Sequence, residues 1–182
     1  MQLLEISSDT SPYNSYGNGA RMRVSPCAYV AKSLEEAKEL SYKVTKVTHN
    51  HEEGIKGAEA TTVAIYLAKN GHSKEEIRDY IDKNYYKLDF TLDEIRPSYR
   101  FNETCQGTVN VLIEAFTESC SFEDAIRNTI SIGGDSDMVA AIAGSIAEAY
   151  YGIRNGFITQ VLKYLDDNLI KIIKNFKKKF KL

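Results

Sequence analysis

Three stretches of the 182-residue chain carry residue types that helical packing alone does not require. In PYNSYGNGARMRVSP, residues 12–26, Gly17, Asn18 and Gly19 permit tight turns that leave backbone amides open to an anion, and Arg21 and Arg23 add positive charge beside them. A turn without chemical purpose also fits that stretch. In VTHNHEEGIKGAEA, residues 47–60, His49 and His51 precede a helix start. Neutral imidazoles at that spacing can ligate a metal, and they can equally cap the helix. In SIGGDSDMVAAIAGSIAEAYYG, residues 131–152, Asp135 and Asp137 follow a glycine pair where the backbone can turn sharply. Two carboxylates projected to one point suit a hard cation such as Mg²⁺. The plainer reading is a turn residue followed by a helix cap.

The elements that must position these residues are helices. Ser33 with Glu36, Asn50 with Glu53, and Ser73 with Glu76 each have the spacing of a capping box. Apolar residues recur at helical spacing in Val109, Leu112, Ile113 and Phe116, in Phe122, Ala125, Ile126, Thr129 and Ile130, and in Ile158, Val161, Leu162, Leu165, Leu169 and Ile172. Each stripe calls for a core. MVAAIAGSIAEAYYG is filled with Ala and Gly, so a helix there can approach its neighbours closely and is expected at the centre. No alternating strand pattern or internal repeat is visible. The expectation is an all-α, single compact orthogonal helical domain over 1–182, of about seven helices, with a loop-rich stretch over 1–26.

Composition narrows the class. The formal net charge of −2, with a pI near 6.0, exerts no global pull on nucleic acid or an anionic membrane. No run approaches the roughly 18 apolar residues of a membrane span, and the first residues lack the basic start and apolar stretch of a secretory signal. A cytoplasmic protein with small-molecule or protein partners is expected. Cys27, Cys105 and Cys120 form no close pair and read as buried or semi-buried free thiols. Residues 171–182 hold six lysines and no acid, with Phe176 and Phe180 between them. Such a basic end usually is a solvated helix terminus, with a phosphate or membrane contact as the other reading.

Taken in order and spacing, SYGNGARMRVSP, THNHEEGIKGAEA, IRPSYRFNETCQGTVNVLIEAF and FEDAIRNTISIGGDSDMVAAIAGSIAEAYYGI resemble the ADP-ribosylglycohydrolase family, in its bacterial branch related to the dinitrogenase reductase activating enzyme. The likeness runs from about residue 12 to 153. It implies an all-helical fold, a centre of two Mg²⁺ or Mn²⁺ ions, and cleavage of the bond from ADP-ribose to a protein side chain or small acceptor. It further implies that Tyr16, Gly17, Asn18, Gly19 and Ala20 lie along a diphosphate, that Met22 and Arg23 support that loop, and that His49 and Gly134 face the ligand. Asp135 and Asp137 match the family's carboxy-terminal pair of metal-binding, catalytic carboxylates.

Two departures shape the expected function. The Gly-Asp turn, glutamate and Thr-Asp-Asp triplet that give the family the rest of its metal shell have no counterpart ahead of the loop at Ser15, so the chain is expected to lack the family's N-terminal helices. Met138 stands where the family usually has a threonine, and Ala20 where it often has a serine. The reading is therefore a binder of an ADP-ribose-type nucleotide or ADP-ribosylated molecule, with an incomplete metal set and no efficient hydrolysis. The alternatives are a Mg-dependent hydrolase completed by another chain or by Glu52, Glu53 or Asp9, and an interaction remnant without ligand. Apolar surface left bare by the missing helices implies a homo-oligomer.

Overall fold

Side-chain caps set where most of the helices begin. In the computed structural model, which describes residues 11–12, 14–15, 17–99, 105–133 and 136–182 (of 105–107 and 136 the backbone only), Ser33, Ser73, Thr91, Ser121 and Asp166 each accept an amide from the following first turn. Each such bond satisfies a donor that the helix itself leaves without a carbonyl. The resulting elements are α1 (Gly19–Met22), α2 (Ser25–Val30), α3 (Leu34–Thr45), α4 (Glu52–Lys69), α5 (Lys74–Asn84), α6 (Leu92–Ile95), α7 (Cys105–Thr117), α8 (Phe122–Ile132), α9 (Ser136–Tyr151), α10 (Asn155–Val161) and α11 (Asp167–Phe180). A 3₁₀ turn at Leu162–Tyr164 joins the last two. No strand occurs among the described residues, and the architecture is all-α.

The helices outnumber the expected seven because several are too short to show a period. α1, α2, α6 and α10 span one or two turns each, below the window in which a helical repeat can be read. Two of them lie in or enter the stretch expected to be loop-rich, where Pro26 sits in the first turn of α2 and its missing N–H costs nothing. The start of α4 also differs from expectation. His51, not Asn50, is the cap, its Nδ1 accepting from the Glu53 amide at 3.1 Å. Asn50 is left to bond elsewhere.

The core is built around α4 and α9. α4 is buried on most sides, and its Thr61 and Thr62 turn their hydroxyls back to the carbonyls of Gly57 and Ala58, which lets them be buried without an unpaired donor. α9 packs on α1, α4, α7 and α8, as its Ala and Gly content predicts. At Gly144 an added Cβ would lie 2.9 Å from Ile126 Cδ1 of α8, closer than carbon atoms approach. The α7 stripe of Val109, Leu112, Ile113 and Phe116 is fully buried. In α8 the stripe is offset: Ala125 and Thr129 are buried, but Ile130 is exposed and Ile132 takes the inward place. A brace closes the far side, where Arg78 donates to buried Glu114 at 3.1 Å and to the carbonyl of Leu88.

The stripe from Ile158 to Ile172 does not find the core it was expected to join. Asp166 caps a new helix in its middle, so the stripe is split between α10 and α11, and neither helix has a buried residue. Of the thiols, Cys27 is buried, with its pKa pushed up by that burial, whereas Cys120 is exposed rather than sheltered. The side chain of Cys105 lies outside the described residues. No described helix is long and apolar enough to cross a membrane.

Candidate functional site

Three ties bring the amino-terminal loop to the histidine segment. The amide of Asn14, a residue in the left-handed region at φ 56°, donates to Asn50 Oδ1 at 2.7 Å. The Arg23 guanidinium donates to Thr48 Oγ1, which in turn lies 2.7 Å from His49 Nδ1. At Gly19 a Cβ would stand 3.8 Å from both Cε1 and Nε2 of His49, so α1 runs along one edge of the imidazole. α1 also packs on α4 and on α9, whose first turn carries Asp137. The three chemically marked segments, far apart in the chain, thus meet around one short helix.

The electrostatics of this junction favour a neutral ring beside a fixed cation. His49 is buried, and that burial, helped by the charge of Arg23, holds its imidazole below the ordinary value. A neutral imidazole can hydrogen-bond a hydroxyl, where a charged one would act mainly as a cation. Beneath the loop Arg21 is also buried, close enough to Tyr99 for its charge to act on that phenol.

The predicted residues are not all placed alike. Gly17 is half-buried, its amide donating to Ser15 Oγ at 3.3 Å. Asn18 is 2% exposed and stands at the cap of α1, while Gly19 is exposed. Asn18 forms a turn, and Gly19 opens α1 directly after it. Ala20 is fully buried against Val24 and Ala58, leaving only its backbone for a ligand. Met22 is 41% exposed and Arg23 is exposed. Asp137 is exposed, and Met138 packs on the cluster of Leu112, Val139, Ile142 and Ala143. Tyr16, Gly134 and Asp135 lie outside the described residues, although Gly133, at φ 84°, makes the sharp turn foreseen before them.

Among the described residues no three His, Cys, Asp or Glu side chains gather at one point. Among the described residues Asp137 by itself does not make a fixed Mg²⁺ or Mn²⁺ shell. Sequence reasoning missed Thr48, Asn50 and Asn14, which do the tying. The signal lay in the unbroken polar run Thr48–His51, in which Asn50 reads from spacing as a helix cap rather than as a tie to the loop.

The sequence profile of ADP-ribosylglycohydrolases matches residues 2–179. The chain belongs to the ADP-ribosylglycohydrolase family. It is 32% identical over 149 residues to the ADP-ribosylarginine hydrolase Tri1 of Pseudomonas putida, covering 75% of this chain and 39% of that protein. It is 27% identical over 185 residues to the ADP-ribosylhydrolase ARH3 of Bos taurus, covering 76% of this chain and 51% of the relative. A solved ADP-ribosylglycohydrolase-related protein complex shares the fold at a TM-score of 0.64 and 23% identity, over 78% of this chain and 52% of that one. The chain spans about half or less of the length of these relatives.

Proposed function

We propose that the chain binds an ADP-ribose-type nucleotide where α1, the Thr48–His51 turn and the start of α9 meet, and holds it without efficient cleavage. The observation that carries this reading is the linkage Arg23–Thr48–His49 with Gly19 against the ring. It sets a cation, the Gly19 and Ala20 amides at the start of α1 and a neutral imidazole side by side. Amides and a guanidinium suit a diphosphate; the imidazole suits a ribose hydroxyl. Tyr16, Gly134 and Asp135 are expected to complete the surface. Weak catalysis is supported by Met138, whose side chain turns into the core and supplies no oxygen beside Asp137.

A second reading, a working hydrolase whose remaining ligands come from another chain, is favoured by the names of the relatives. Of the local acids that could substitute, Glu53 is engaged, accepting from the Tyr86 hydroxyl at 3.3 Å, while Glu52 is exposed. Calorimetric titration with ADP-ribose, with and without Mg²⁺, separates the readings when an ADP-ribosylated substrate is recovered afterwards. Binding with intact substrate is expected. Metal-dependent release of ADP-ribose would replace the first reading with the second, and no binding in either condition would leave an interaction remnant.

A further inference from the structure

α11 is two-sided in a way the fold does not use. At about 100° per residue, Leu169, Ile172, Ile173, Phe176 and Phe180 fall on one side, while Lys171, Lys174 and Lys178 fall on the other. Lys177 and Lys179 flank the stripe. None of these residues is buried, and Ile172 is 62% exposed. Lys177 lies close enough to Glu148 of α9 for their charges to interact. The preceding turn adds Val161 and Tyr164, the latter 88% exposed.

We propose that α11 lies flat on an anionic lipid surface, with its apolar stripe at the acyl boundary and its lysines among the headgroups. Charge complementarity selects this occupant. Residues 167–182 hold six lysines and a single acid, Asp167, so a second copy of α11 laid against the first would bring two strongly basic helices together. A nucleic acid would use the lysines and leave the stripe wet. A lipid surface with negative headgroups satisfies both faces at once, and an exposed aromatic such as Tyr164 suits the interface. The helix is too short and too charged to span, so the attachment is peripheral and reversible. The lysine end read from sequence as solvated is thus one face of a surface-seeking helix.

Co-sedimentation of the full chain with phosphatidylcholine vesicles, with and without phosphatidylserine, tests this. Binding to the phosphatidylserine vesicles alone, weakening as salt rises, is expected. Lys174→Gln with Lys178→Gln should lower partitioning about 30-fold, and separately Ile172→Asp should lower it by about tenfold or more. Their thermal transition and ADP-ribose titration should match the parent. Failure of the parent to bind phosphatidylserine vesicles, or equal binding to both vesicle types, would overturn the proposal. So would a parent whose mass in sedimentation velocity falls to the monomer on Ile172→Asp, because the stripe would then belong to a second copy.

Discussion

At the scale of single residues, Thr48 is the joint between Arg23 and His49. Its hydroxyl is in contact with both. Thr48→Val keeps the shape and removes that atom; it should cost about 1 kcal/mol in thermal or urea unfolding and weaken ADP-ribose binding in calorimetry. His49 gives a pH signature of known sign. Its folded pKa lies below its ordinary value of 6.5, so the unfolded chain binds the proton more readily. The contribution to stability is therefore complete above pH 6.5 and is lost as pH falls below it, towards the depressed folded value. Buried Glu114 and half-buried Glu148, whose pKa values burial pushes up, act in the opposite direction. The comparison that isolates His49 is melting at about pH 7.5 and about pH 5.5 in the parent and in His49→Gln: the acid loss should be smaller in the variant. Unchanged loss would refute the assignment. Sequence alone made His49 and Arg23 legible as residue types; it could not show that Thr48 joins them, because that contact depends on how α1 is laid against the turn.

At the scale of elements, the close approach of α8 and α9 rests on Gly144. Gly144→Leu should destabilise by about 1–3 kcal/mol through overpacking. Gly144→Ala should cost less, since the atom it meets is the mobile end of Ile126, and Ile126→Val in the same chain should recover most of that loss. Denaturant midpoints of the parent, Gly144→Ala, Ile126→Val and the double variant give the coupling, and additivity would count against the contact. The long helices were legible because their caps and stripes run over several turns. The short ones were not, and neither was the importance of α4. Its alanines, glycines and threonines carry no clear stripe, because small residues fill much of the helix and its charged residues Glu52, Glu53, Lys56 and Glu59 lie in the first half, with only Lys69 at its end. Ile130 failed for another reason: a stripe fixes a period, but tertiary packing chooses which edge of it turns inward.

At the scale of the whole molecule, the burial is unevenly shared. The segment from Asn155 onward contributes no buried residue from its helices, so truncating the chain after Arg154 should shift the melting midpoint by no more than about 2–4 °C, the size of a 1 kcal/mol change. A collapse of the transition would show that the arm supports the core after all. The family was legible from the ordered motifs; the fate of the last apolar stripe was not, because periodicity announces a face without naming what covers it. Another consequence follows from the pairing of α4 with α9. α3 with α4, and α8 with α9, are neighbours in the chain and can zip together quickly, while the α4–α9 crossing must wait for everything between them to be gathered in. The late step in folding should therefore be the docking of two preformed hairpins. Since α1 packs on both α4 and α9, the junction that holds Arg23, Thr48 and His49 would be the last part of the molecule to take shape.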